Sequence, residues 1–277
     1  MKAPLPLFCL ALACATATTG APRSYPAPAA EALLSALRAR QRAVHSVDLD
    51  TRTTSWLGGQ RTRGTVVMLA ARDGRLRFEA EVSLQGAVAT LVTHDAEFAL
   101  LDLQQHVFKH GPACAENVAA LVPVPLVPAE AAAVLLGDAL VAPEAQIVGP
   151  DWDGGAGAEV LTVDNGAQAF TRQLRVKLRR SGGGADARWD VIGLEGERGG
   201  GGKPWRVAFE DLQVEGGLSF PGVIRFAEPG KSFDDGLEIK VKNRRVNPTL
   251  KPQAFTLAPP ESYPVELVPC CPGCPAR

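Results

Sequence analysis

Residues 121–137, LVPVPLVPAEAAAVLLG, contain a short helix that has almost no polar surface. Pro128 stands at the first helical position, where proline is tolerated, and Gly137 stands where helices commonly end. Between them, Glu130 is the single charged residue. Because a helix that is apolar on all sides is normally buried, the rest of the chain must surround it with apolar surface.

Strand patterns lie on both sides of this helix. The clearest, at residues 76–84, alternates polar with apolar side chains, which gives a strand one apolar face. Its apolar set is Leu76, Phe78, Ala80, Val82 and Leu84. Similar alternation occurs at residues 174–179 and 237–242, and Gly-rich turns separate the candidates. We predict a mainly β protein with short helices, built on a single strongly curved antiparallel sheet of about 11 strands.

Composition and side-chain chemistry narrow the function classes. The 277 residues include 46% hydrophobic residues, and the formal charge of −1 argues against a nucleic-acid partner. His106, His110 and Cys114 recur at intervals of four but straddle a strand end and a turn, which does not suit a metal site. No nucleophile motif is present. We predict a protein that is not an enzyme and that uses no metal or cofactor.

The N-terminus has the pattern of an export signal. Lys2 precedes an apolar run at residues 5–13, which is too short to span a membrane. The sequence Ala-Leu-Ala-Cys at residues 11–14 resembles a lipobox, so we predict a signal peptide over residues 1–13 and lipidation of Cys14. Residue 15 is not Asp, which favours the outer membrane. Ordinary cleavage after residue 15 or 17, which would give a soluble secreted protein, is the alternative.

The predicted domain lies between two segments of unusual composition. Residues 14–29 indicate a flexible tether, and residues 30–44 an amphipathic helix with its arginines on the outer face. The domain then covers residues 30–260, and a Pro- and Cys-rich tail, residues 261–277, lies outside it. Export favours disulfides among the four cysteines outside the signal and lipobox, without fixing their pairing. These are Cys114, Cys270, Cys271 and Cys274.

Several of these segments resemble one protein family. Residues 122–137, the strand LEIKVKN at residues 237–243 and the closing segment at residues 247–260 are similar to LolB-like proteins of the LolA/LolB lipoprotein-localisation superfamily. The resemblance implies a half-open β barrel lidded by helices, which binds the acyl chains of lipoproteins. It also implies that Leu84, in the turn after the alternating strand, helps to insert cargo into the membrane. The alternative is that Leu84 is the last inward residue of that strand.

On this basis the expected protein is a monomeric lipoprotein, lipid-anchored at the periplasmic face of the outer membrane. It would receive lipoproteins from a periplasmic lipoprotein carrier, bind their acyl chains and help to insert them. The residues expected to line its cavity are Leu76, Phe78, Ala80, Val82, Val134, Leu135 and Leu136. Two alternatives remain open: a lipid-binding or envelope-stress sensor with the same fold, and an envelope-assembly scaffold with a closed core.

Overall fold

The computed structural model describes residues 20–56, 61–82, 86–121, 126–198, 204–227 and 230–270. Within them, sixteen strands and three α-helices are present. The first part of the chain contains α1 (Ala30–Ala43), β1 (Ser46–Ser55), β2 (Thr62–Ala71), β3 (Leu76–Val82), β4 (Gly86–His94), β5 (Glu97–Asp102) and β6 (Val107–Pro112). Two helices, α2 (Ala115–Val118) and α3 (Pro128–Leu135), connect it to the second part.

The second part is also almost entirely strand. It contains β7 (Gln146–Asp153), β8 (Ala158–Asp164), β9 (Thr171–Ser181), β10 (Arg188–Arg198), β11 (Trp205–Glu210), β12 (Gln213–Glu215), β13 (Leu218–Phe220), β14 (Val223–Ala227), β15 (Leu237–Val246) and β16 (Val265–Leu267). Fourteen of these strands form one sheet, and β12 and β13 form a separate hairpin. The sheet order is β16-β6-β5-β4-β3-β2-β1-β15-β14-β11-β10-β9-β8-β7.

The sheet is a curved, open structure made of two meanders. Strands β1 to β6 follow one another in order, as do β7 to β11, and the β1–β15 pairing joins the two sets. Among the described residues β7 and β16 are the edge strands and do not pair with each other. The prediction of a mainly β fold with one strongly curved antiparallel sheet and helices over it is therefore confirmed.

The strand count exceeds the prediction of about 11. One reason is a break within residues 205–226, where Asp211 adopts a positive φ of 51° and the chain leaves the large sheet to form β12 and β13. A second is β16, which the Pro-rich tail composition concealed. β16 pairs in parallel with β6, and Cys270 just beyond it forms a disulfide with Cys114. The tail up to Cys270 is therefore attached to the domain.

The two longer helices pack on the concave face of the sheet. Leu33 and Leu37 of α1 and Val134 of α3 belong to the same core cluster as inward residues of both meanders, such as Met68 and Val176. The period-two patterns place these inward residues on one face, and the helices remove that face from water. Within the described residues no helix is long and apolar enough to cross a membrane.

Candidate functional site: an apolar concave face beneath a helical lid

Helix α3 begins and ends where its sequence indicates. Val127 is extended and Pro128 opens the helix, while Gly137 adopts a φ of +70° immediately after it. The N–H groups of Gly137 and Asp138 donate to the carbonyls of Val134 and Ala133, both at 2.9 Å. This pair of bonds is a Schellman motif, which requires the left-handed conformation that glycine adopts without strain.

The predicted lining residues lie on the concave face or on the helix above it. Leu76, Phe78, Val134, Leu135 and Leu136 are buried in the core cluster, and Ala80 packs against it half-buried. Val82, at the end of β3, is also half-buried. The structure thus brings the sets from β3 and α3 together. Cys14 and Leu84 lie outside the described residues, so their predicted roles stay predictions.

A small apolar cavity remains between α3 and the sheet. Its volume is about 20 Å³, enough for about one water molecule. The predicted residues Phe78 and Leu135 both line it. Further lining residues come from β2, β15, α2 and the segment before α3: Met68, Ile239, Val118 and Leu126. An acyl chain does not fit in this volume. Binding of an acyl chain at this place would require α3 to move away from the sheet.

A buried ion pair fixes the segment that follows α3. Asp138 is 0% exposed, and its Oδ2 accepts a hydrogen bond from Nη2 of Arg72, in the β2–β3 turn, at 2.9 Å. Its Oδ1 accepts the N–H of Ala139 at 2.8 Å. Burial raises the pKa of Asp138, although the charges of Arg40 and Arg72 oppose that rise. The carboxylate is well hydrogen-bonded, which is what a buried charge requires.

Helix α1 holds the same segment through side chains. Arg40 donates from Nη2 to the carbonyl of Leu136 at 2.9 Å, and Gln41 donates to that of Ala139 at 2.8 Å. Arg40 is only 8% exposed, and this burial lowers its pKa. Its guanidinium also lies 4.9 Å from the ring centroid of Phe220. The prediction that the arginines of α1 lie on an outer face is therefore wrong for Arg40, which faces α3.

The beginning of α3 has a different attachment. Glu130 is 6% exposed, and its Oε1 accepts the N–H of Thr171, the first residue of β9, at 2.9 Å. The polar contacts from Arg40, Gln41 and Arg72 all fall on residues 136–139, after the helix. Polar contacts thus hold α3 near both of its ends.

Other surface features lie away from the concave face. Two open depressions, of about 680 and 660 Å³, lie beneath the C-terminal segment and beside the β7–β8 turn. Neither is lined by any of the predicted residues, whereas Phe78 and Leu135 line the small cavity under α3. Among the described residues no group of three or more His, Cys, Asp or Glu is arranged to hold a metal ion.

Similarity to solved structures is confined to the fold. No family model and no curated protein matches the chain. An outer membrane lipoprotein-sorting protein domain from Vibrio parahaemolyticus is similar at a TM-score of 0.54 and 9% identity, over 82% of this chain and 97% of that one. A LolA superfamily protein from Nitrosomonas europaea is similar at a TM-score of 0.55 and 9% identity, over 83% of this chain and 99% of that one. A DUF1329 family protein from Desulfovibrio piger is similar at a TM-score of 0.55 and 9% identity, over 82% of this chain and 97% of that one.

These comparisons define the class of fold. The chain has a LolA-like fold, an open curved β sheet covered by helices, and nearly the full length of each similar structure is matched. At 9% identity, these similarities show a shared fold and do not show a shared activity. The expected resemblance is confirmed for the fold, which is LolA-like, and the LolB-like assignment remains a proposal.

Proposed function

We propose that this protein is an outer-membrane lipoprotein that binds the acyl chains of other lipoproteins under α3 and helps to localise or insert them. The observation that carries the proposal is an apolar helix packed on the apolar concave face of an open sheet, with a small cavity between them. Both faces of that contact are suited to hydrocarbon, and one of them is a short helix that can be displaced.

The energetics of the contact suit reversible binding. Burying an acyl chain is worth about 0.8 kcal/mol per methylene, or about 12 kcal/mol for roughly fifteen. Displacing α3 about residues 136–139 uncovers Val134 and Leu135, which costs about 2 kcal/mol for each side chain. The helix therefore offsets about a third of the gross gain, before the loss of ligand freedom is counted. A carrier that must release its cargo needs such a competing contact.

The polar contacts indicate how the lid opens. Because Arg40, Gln41 and Arg72 hold residues 136–139, the lid would pivot about that end and lift its beginning from the sheet. Glu130 would then release the N–H of Thr171. The acyl chain would enter between Phe78 and Leu135, where the cavity already lies.

The proposal also gives the protein a location and partners. Lipidation of Cys14 would anchor the domain to the outer membrane, on its periplasmic face. A periplasmic lipoprotein carrier would deliver the cargo to a monomer, and the role would involve no enzymatic step and no cofactor. The predicted export signal and the resemblance of residues 11–14 to a lipobox support this location.

Depletion in cells tests the proposed role. If the protein is withdrawn, other lipoproteins should accumulate in the periplasm, and their correct localisation after depletion would contradict the role. The Leu84→Glu variant refines the test, since we expect it to take up cargo and to insert it poorly. Residue 84 lies between β3 and β4 in the sequence, and normal insertion by this variant would count against the assignment of that turn.

A scaffold with a closed core is the second candidate, and the volume of about 20 Å³ under α3 favours it. A scaffold should co-purify with no lipid and should not respond to added fatty acid. A lipid-binding sensor would also retain lipid, but its depletion would leave lipoproteins correctly localised. Mass spectrometry of the purified protein, combined with depletion, therefore separates the three roles.

A further inference from the structure

The N-terminal residues 20–25 form part of the packed domain. Arg23 donates from Nε and Nη2 to the two carboxylate oxygens of Glu159, at 2.7 and 2.9 Å. Glu159 is 0% exposed in β8, and the side chain of Arg23 is 23% exposed. A bidentate bond of this kind to a buried carboxylate is strong and geometrically specific. The segment predicted to be a flexible tether is therefore attached to the sheet at this point.

Aromatic and backbone contacts complete the attachment. The ring of Tyr25 lies edge-on to Trp152 and Trp189, with centroid distances of 5.9 and 5.6 Å. Trp152 donates from Nε1 to the carbonyl of Ala21 at 2.8 Å, and the N–H of Ala21 donates to the carbonyl of Gly154 at 3.0 Å. We call residues 20–25, bound in this way to β7, β8 and β10, the N-terminal clasp.

The clasp determines how far the domain can stand from a lipid anchor. Six residue steps separate Cys14 from Gly20, so a closed clasp allows a distance of at most about 20 Å. If the clasp opens, the free chain extends to Ala30, where α1 begins. Sixteen steps then allow about 53 Å. Opening the clasp adds about 33 Å, which is close to the length of an 11-residue strand such as β9.

The direction of this restraint follows from the strand order. Antiparallel pairing across the sheet places the β7–β8 turn, where Gly20 contacts Gly154, at the opposite end from the last residue of β3 and the first residue of β4. In the sequence, Leu84 lies between these two strands. With a lipid anchor at Cys14, the closed clasp would therefore keep the β7–β8 end of the sheet near the membrane.

We propose that the N-terminal clasp holds the β7–β8 turn next to the bilayer, and that its opening gives the opposite end of the sheet the length of tether needed to reach that bilayer. This inference rests on the proposed lipid anchor at Cys14. It adds to the proposed function a control over which end of the domain meets the membrane.

Trypsin tests whether the clasp is closed. Arg23 is the first Lys or Arg after Cys14, and the next, Arg38, lies inside α1. With the full-length lipoprotein in phosphatidylethanolamine and phosphatidylglycerol vesicles, cleavage after Arg23 frees the domain into the supernatant. Glu159→Gln removes the ion pair and retains the cleavage site, so release should be at least about tenfold faster than in the wild type.

Two further variants make the test specific. Tyr25→Ala opens the aromatic part of the clasp without altering Glu159, and it should also accelerate release. Glu195→Gln is the control, because Glu195 on neighbouring β10 pairs with Arg175 and Lys177 and does not touch the clasp. Its release rate should match the wild type. Equal rates for the wild type, Glu159→Gln and Tyr25→Ala would overturn the clasp.

Neutron reflectometry on a supported bilayer tests the stand-off distance. The wild type should form a narrow protein layer whose near edge lies no more than about 20 Å from the headgroups, and Glu159→Gln, with a tether of up to about 53 Å, should spread over a broader range of distances from the bilayer. Faster cleavage of Glu159→Gln with an unchanged distribution of protein would overturn the control of orientation. Labelling with palmitate separates this failure from failure of the anchor. An unlabelled Cys14 overturns both proposals, whereas a labelled Cys14 with equal distributions overturns this one alone.

Discussion

Replacing Leu135 by alanine should lower the free energy of unfolding and raise the affinity for acyl chains. Leu135 is 6% exposed, and it lines the cavity of about 20 Å³ together with Phe78. Truncation of a buried leucine costs about 3 kcal/mol, because it removes contacts and enlarges the cavity. That cost falls on the closed state. In the bound state α3 is displaced and no longer fills this space.

The expected gain in affinity follows from the same free energy. If the closed state alone loses about 3 kcal/mol, the apparent dissociation constant for a fatty acid falls by up to about 100-fold. Contacts between Leu135 and the bound chain reduce this gain, so the value is an upper bound. Titration of a fluorescent fatty acid measures the affinity, and urea denaturation measures the loss of stability.

Leu161→Ala is the matched control for this experiment. Leu161 is a fully buried leucine of β8 in the same core cluster, and it does not line the cavity. Its truncation should cost a similar free energy of unfolding without increasing affinity. If Leu135→Ala binds no more tightly than the wild type, or if the two variants gain equally, the reasoning that α3 competes with the ligand is refuted.

Three further predictions concern stability. Asp138→Ala leaves Arg72 without its carboxylate partner in a partly buried site, so denaturant titration should show a free energy of unfolding lower by about 3 kcal/mol. Replacing both Asp138 and Arg72 by apolar residues should lower it by less. Cys114→Ser removes the bond to Cys270 and should lower the free energy of unfolding by about 2 to 4 kcal/mol, a difference that should vanish when both proteins are compared in reductant. Backbone N–H groups of the β7–β8 turn hold the pKa of Asp153 below its usual value. The ionised side chain therefore stabilises the folded protein at neutral pH, and this stabilisation is lost as the pH falls through the folded-state pKa. The free energy of unfolding of Asp153→Asn should therefore be lower than that of the wild type by less than about 1 kcal/mol at pH 7, and by still less near pH 3. A constant difference across that range would contradict the stabilising role of ionised Asp153.

The sequence predicts those parts of the fold that depend on local pattern. Alternation over residues 76–82 correctly places Leu76 and Phe78 on the inward face of β3. Pro128 and Gly137 mark the two ends of α3, because their backbone preferences act within one or two residues. The curved sheet follows from many such strands and from the need to cover an apolar helix.

Contacts between distant residues were not predictable in this way. Arg23 meets Glu159 across 136 residues, and Cys114 meets Cys270 across 156. One residue of each pair, Arg23 or Cys270, lies in a segment rich in proline or small residues. Such segments lack the periodicity that indicates burial. Arg40 was assigned to solvent for a similar reason, since its acceptor is a carbonyl that α3 presents only in the folded structure. The site is thus predictable in its apolar residues and not in its polar attachments.

Photo-crosslinking with a fatty acid that carries a diazirine near its terminal methyl group tests the central claim most directly. The claim is that acyl chains bind between α3 and the concave face of the sheet. It predicts that the label is recovered on peptides containing Phe78 and Leu135, and that excess unlabelled fatty acid prevents labelling. Label found only in the open depressions, or no labelling that excess fatty acid prevents, would contradict the claim and favour a closed-core scaffold.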